Sequence, residues 1–179
     1  MDEALQVVIE MSELIWKGFK DALKDVTPEE INWRPLPQAN SINVIVRHLR
    51  IEAEWHVASL ERGEPMPGVH VSADVQQWID SVPLDFERNL KELEELYTRF
   101  IAALRRTTLA GLEQQSELAY QGAGQGPRFP GAHRAHLLSF HQTVHLVAHG
   151  GQICTIRNLY RKTRGEPARF FPENPSFPT

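Results

Sequence analysis

Apolar residues recur every three or four positions in four long segments of the chain, which is the period of an α-helix. These segments run over about residues 2–25, 41–62, 83–107 and 132–162. No stretch between them shows the strict alternation of a β-strand. The pattern therefore predicts an all-α protein.

Capping and breaking residues mark the ends of the predicted helices. The stretch "TPEE" at residues 27–30 predicts a short capped turn with Pro28 at the first helical position. Asn40 or Ser41 is expected to cap the second helix, which should stop at Gly63. The connections on either side of the third helix are about 20 residues long, rich in Gly and Pro, and predicted to be loops.

Four amphipathic helices with no other layer to pack on predict a four-helix bundle, up-down, with long crossover loops that could cover a site. The length of 179 residues favours a single domain spanning residues 1–179. The tail, residues 163–179, contains four prolines and is expected to be extended. Phe170, Phe171 and Phe177 suggest that it lies along the body of the protein or along a partner.

Composition restricts the function only broadly. The chain is 41% apolar and 23% charged, with a net charge of −4, so no electrostatic feature favours nucleic acid or an anionic membrane as partner. No run approaches the roughly 20 apolar residues of a membrane span, and the N-terminus lacks the pattern of a signal peptide. Cys154 is the single cysteine, which precludes an intrachain disulfide and predicts a cytoplasmic location.

Three histidines in the fourth segment, His141, His145 and His149, follow one another at intervals of four. Each such step drifts by only about 40° around a helix, so the three lie on one narrow face. The same face continues into Ile153 and Ile156, which indicates that it is directed towards the core. A histidine in a core must find a hydrogen bond or a metal ion.

A fourth histidine lies on the apolar face of the second helix, where His48 follows Val44 and precedes Ile51 and Trp55. Two histidines four apart, joined by a third from a facing helix, could occupy three positions of a zinc-like site. Core histidines that bridge helices by hydrogen bonds explain the pattern equally well. Cys154 is rotated by about 140° from His149 and is a poor candidate for a ligand.

Two stretches of the chain resemble the DinB/YfiT-like superfamily of four-helix bundle metalloproteins: "WRPLPQANSINVIVRHL" (33–49), with Trp55 behind it, and "HQTVHLVAHGGQICTIR" (141–157). The resemblance covers most of the chain. It implies a divalent metal ion, typically Zn or Ni, and frequently a homodimer. The ligands it implies are His48, His145 and His149, with His141 beside them. Many relatives carry Arg where this chain has Gly150, which would remove a cation near the metal.

Characterised members of the superfamily include transferases and isomerases that use a low-molecular-weight thiol such as bacillithiol or mycothiol. The resemblance therefore implies a metal-dependent thiol S-transferase with a small-molecule substrate. A metal-dependent hydrolase, a non-catalytic metal-binding stress-response protein and a helical interaction module with structural histidines are the alternatives.

Four further residues are candidates for the site. His141 could act as general base or orient a ligand, or be a hydrogen-bonded core residue. Glu52 could hold the free nitrogen of His48, or be solvated. Gln152 and Arg157 could fix the end of a helix or bind polar groups of a substrate.

Overall fold

The computed structural model describes residues 3–62, 73–108, 110–111 and 145–170, without the side chains of residues 4 and 73–76. These ranges contain no strand, and their long helices enclose one packed core. The all-α bundle predicted from the sequence is confirmed. The helices within the described ranges include α1 (Glu3–Leu23), α2 (Pro28–Asn32), α3 (Ile42–Arg62), α4 (Ala73–Ser81), α5 (Phe86–Arg106) and α6 (His145–Thr163).

Helices α3 and α5 run in the same direction. Arg50 pairs with Glu92 at 2.7 Å, and Glu61, eleven residues further along α3, pairs with Arg99. Because the residue numbers rise together on both helices, the two are parallel. The chain between them must return along the length of the bundle, as a crossover connection does.

The other two long helices, α1 and α6, are antiparallel to this pair. Lys20 meets Glu94 while the earlier Glu13 meets the later Arg105, so α1 is antiparallel to α5. The C-terminal part of α6 lies beside the segment that precedes α3, where Trp33 packs on the edge of Tyr160. The helices α1, α3, α5 and α6 therefore run up, down, down and up.

The core lies between these four helices and is closed by apolar side chains from each of them. Ten of the largest contributors are buried: Leu5, Ile9, Phe19, Val46, Leu49, Leu93, Phe100, Leu104, Leu146 and Ile153. Within the described part of the chain no helix is both long and apolar enough to cross a membrane.

The predicted caps at Thr27 and at the start of α3 are present, whereas Gly63, the predicted stop of that helix, lies outside the described residues. Thr27 accepts a hydrogen bond from the backbone N–H of Glu30 while the Glu30 carboxylate accepts one from the backbone of Thr27, each at 3.2 Å, which is a complete capping box. The hydroxyl of Ser41 accepts from the Val44 N–H at 3.4 Å, so Ser41 rather than Asn40 caps α3.

Helix α4 is a departure from the sequence prediction, which placed a loop between the second and third long helices. It spans only nine residues, too few for its apolar positions to stand out as a periodic pattern. Tertiary contacts stabilise it, because the Trp78 ring packs at a tilt of 39° against Trp55 of α3, with 5.9 Å between the centroids, and the Arg50 guanidinium lies over the Trp78 ring at 5.9 Å.

The first part of the tail lies against the body, as its phenylalanines suggested. Asn158 accepts hydrogen bonds from the backbone N–H groups of Arg169 and Phe170 and donates to the Phe170 carbonyl at 2.6 Å. Phe171 and Phe177 lie outside the described residues, as do residues 132–144 of the fourth predicted helix.

Candidate metal centre

Three histidines from two helices converge on one point. The Nε2 atom of His145 lies 3.1 Å from Nε2 of His48 and 2.8 Å from Nε2 of His149. One ligand atom from each of the three residues falls within 4.8 Å of the other two. Zinc bonds of 2.0–2.1 Å in a tetrahedron would place neighbouring nitrogens about 3.3 Å apart, close to the distances observed.

The hydrogen-bond chemistry of the cluster also suits a cation. Because a carbonyl oxygen can only accept, the contact of 2.8 Å between His149 Nδ1 and Gln152 Oε1 puts the proton on Nδ1 and a lone pair on Nε2. Nε2 of a neutral His145 carries either one proton or one lone pair, so it cannot make linear hydrogen bonds to two neighbours. A cation held by three lone pairs satisfies all three nitrogens at once.

Helix geometry positions each of these side chains. His48 lies in the second turn of α3, and the cap at Ser41 fixes where that helix starts. His145 and His149 lie one turn apart on α6. All three are partly buried, in the angle between α3 and α6.

The histidines lie at the edge of the buried face of α6 and not at its centre. That face is formed by Leu146, Ile153 and Arg157, which are 0–1% exposed. The centre of that face is about 100° from His145 and about 60° from His149, and Ile156, which is also buried, lies at an angle between the two histidines. The expectation that the histidines lie on the apolar seam and face the core is therefore met only in part, because they lie at its edge and are partly buried.

Two of the other predicted site residues lie near the cluster. Gln152 contacts His149, as described above, and Glu52 is partly buried one turn beyond His48 on α3. Glu52 is not part of the group of three residues whose ligand atoms lie together. His141 lies outside the described residues.

Arg157 lies in a different environment, buried among helix ends. Its guanidinium donates to the carbonyls of Ala22, Lys24 and Asp25 at the end of α1, at 2.7–3.3 Å. It also makes a two-bonded ion pair with the Glu30 carboxylate at 3.1 and 3.3 Å. These contacts match the helix-fixing role and leave no N–H donor for a substrate, since an arginine side chain has five.

A Cβ atom added at Gly150 would meet the Phe19 ring of α1 at 3.9 Å, an ordinary van der Waals contact. That glycine here removes a cation near the metal stays a prediction. Cys154 is separate from the cluster, and burial raises the pKa of its thiol, which keeps it protonated.

A groove that the sequence did not predict opens beside the histidines. Its volume is about 670 Å³, and it lies between α6 and the segment that leads into α3. Ala148, Gly151 and Gln152 line it on α6, and Ile45 lines it on α3. The one signal in the sequence is Gly151, a glycine inside a predicted helix where neither a turn nor a cap needs one.

The protein is a bundle of four long helices in which three imidazoles converge on one point. This arrangement defines a candidate metal-binding four-helix bundle. A family model described as Mycothiol-S-transferase matches residues 16–162, most of the chain. The chain thus belongs to the mycothiol-S-transferase family, a member of the DinB-like superfamily, and the resemblance read from the sequence is confirmed. Comparison with curated proteins gave no match, and neither did comparison with solved structures.

Proposed function

We propose that the protein is a metal-dependent transferase that joins a low-molecular-weight thiol to an electrophilic small molecule. The observation that carries the proposal is the convergence of the Nε2 atoms of His48, His145 and His149. The family supports a transferase that uses a thiol, and mycothiol is the thiol in its description. Zn or Ni is the proposed metal on the resemblance to the superfamily, and imidazole ligands are compatible with both.

The proposed reaction forms one bond to sulfur and breaks one to a leaving group. The thiol loses its proton, its sulfur attacks the electrophilic carbon, and the leaving group departs with the bonding electron pair. A divalent metal ion held by three neutral imidazoles would lower the pKa of a thiol and so supply thiolate at neutral pH.

The chain's own residues orient this site. Gln152 holds the His149 ring with its Nε2 lone pair towards the other two histidines. We propose that His141, four residues before His145 in the sequence, accepts the proton of the thiol or of a water molecule. Glu52, one turn from His48, is proposed to orient that ring.

Metal analysis of protein made without a histidine tag tests the proposal first. The His145→Ala variant should lose its bound metal, with a drop in affinity larger than the roughly 10–100-fold that follows mutation of a residue hydrogen-bonded to a metal ligand. Cys154→Ala is a matched control, since it removes a potential ligand on the same helix that is not part of the cluster. If His145→Ala keeps its metal, the ligand assignment is wrong.

Activity separates an enzyme from a passive metal-binding protein. The metal-loaded protein should transfer mycothiol to an electrophile faster than the metal-free form. His141→Ala should lower kcat while the bound metal stays stoichiometric, because its proposed role is proton transfer and not ligation. Equal rates with and without metal, over several thiols and electrophiles, would favour a metal-binding protein without catalytic activity.

We also propose a homodimer, on the resemblance to the superfamily. An exposed apolar strip on α1 supports an interface, since Val7, Met11 and Leu14 lie on one side of that helix and are 50–70% exposed. Light scattering distinguishes a monomer of 20.4 kDa from a dimer directly, because a dimer has twice that mass.

A further inference from the structure

We infer that the groove beside α6 binds the apolar part of the electrophile that accepts the thiol, a neutral compound with an aromatic ring or a short alkyl group. This inference rests on the proposed function and names the substrate class of the same site. The groove, at about 670 Å³, is within the range of small-molecule sites, which is roughly 300–1,000 Å³.

The chemistry of the walls selects a neutral ligand. Pro35, Ile45, Ile156 and Leu159 contribute apolar surface, and the polar groups between them are neutral amides and a hydroxyl. None of the described residues that line the groove carries a charge, so it offers no counter-ion to an anionic or cationic ligand. Leu159 at the rim is 41% exposed, and a bound apolar ligand would cover it.

Gly151 keeps the groove open at a cost to the helix. A glycine inside a helix is destabilising relative to alanine, because it loses more conformational freedom on folding. Packing does not require a glycine here, since an added Cβ would meet no described atom within 4 Å. Because Gly151 lines the groove, its missing side chain adds volume for a ligand.

The groove is joined to the histidine cluster on both helices. On α6, Ala148 precedes His149, and Gln152 both lines the groove and accepts the hydrogen bond from His149. On α3, Ile45 lies one turn before His48. A ligand in the groove would therefore lie next to the point where the three imidazoles converge, where the thiol sulfur has to meet its carbon.

Binding of a neutral fluorescent probe tests the groove without relying on catalysis. N-phenyl-1-naphthylamine is titrated into the zinc-loaded full chain and its fluorescence is followed. The wild type should show saturable binding. Gly151→Leu should raise the Kd by about tenfold, because its side chain fills the volume that the probe would bury.

Gly18→Leu is the matched control, since Gly18 is also a helical glycine whose added Cβ would meet no described atom within 4 Å, but it lies on α1. It should bind the probe as the wild type does. Melting temperature and zinc content are measured for each variant, and Gly151→Ala provides a smaller change if the leucine variant unfolds.

Transfer kinetics give the second readout. With mycothiol and 1-chloro-2,4-dinitrobenzene, where a carbon–sulfur bond forms as chloride leaves, Gly151→Leu should raise the KM for the aromatic acceptor. The KM for iodoacetamide, which has no apolar body, should rise less than that for the aromatic acceptor, and Gly18→Leu should leave both KM values at those of the wild type.

Three results would overturn the inference: no saturable probe binding by the wild type, equal binding by Gly151→Leu, or a wild-type dimer that Gly151→Leu converts to monomer while probe binding persists. The last would make the groove an interface between copies. If Gly151→Leu loses the probe but no form transfers a thiol, the proposed function fails while the apolar ligand site stands.

Discussion

Replacing Arg157 with methionine should unfold the protein at a much lower concentration of denaturant. The side chain is 1% exposed, and the contacts described above use all of its N–H donors. Its removal leaves the Glu30 carboxylate, itself 5% exposed, without its cation. It also leaves three carbonyls at the end of α1 without their donor.

The expected loss follows from these contacts. Breaking a buried ion pair by removing one partner costs about 3–5 kcal/mol, because the other charge stays buried. At about 2–4 °C per kcal/mol for a chain of this size, the melting temperature should fall by roughly 6–20 °C. Urea denaturation followed by circular dichroism gives the free energy of unfolding directly.

Two variants provide the controls. Arg161→Met, one turn further along α6, removes an arginine whose side chain is 28% exposed and should cost less than about 1 kcal/mol. The double change Glu30→Leu with Arg157→Met should lose less than the sum of the single changes, since it leaves no buried charge unpaired. Zinc content should not change in the folded Arg157→Met protein. A loss for Arg157→Met no larger than that for Arg161→Met would refute this reasoning.

Three further outcomes are expected. Hydrogen bonds from Arg88, and then from Arg50, lower the pKa of the Glu92 carboxyl group. The ionised carboxylate therefore stabilises the folded protein above pH 4.5, and this contribution is lost as the pH falls through the lowered pKa. The difference in free energy of unfolding between wild type and Glu92→Gln, measured by urea denaturation, should shrink below pH 4.5. Gly151→Ala should raise the free energy of unfolding by about 0.5–1 kcal/mol, because alanine is favoured over glycine inside an unstrained helix. An unchanged urea midpoint would contradict the placement of Gly151 in such a helix. Burial raises the pKa of the Cys154 thiol, so its reaction with a disulfide reagent at pH 7.4 should quicken by at least about tenfold in urea; equal rates would exclude this.

The sequence predicted features that depend on spacing along one helix. The capping box at Thr27 and Glu30 follows from residue types three apart. The pairing of His145 with His149 follows from the helical repeat, and His48 was placed by the apolar face around it. Each of these needs only local geometry or a simple inside-outside pattern.

Features that depend on contacts between distant segments could not be read in this way. Arg157 was left with two roles because no pattern shows that the end of α1 lies within its reach. What an added Cβ at Gly150 would contact depends on the position of Phe19, and α4 depends on the packing of Trp78 against Trp55. The groove exists only because the segment before α3 lies opposite α6.

The histidine cluster also constrains when the metal site can form during folding. His48 and His145 are separated by 97 residues, so the cluster cannot form until α6 has docked on α3. During synthesis α6 leaves the ribosome after the other described helices, so of the three ligands only His48 is available before then. A bound ion would then link α6 to α3, so metal uptake would require that these two helices have docked.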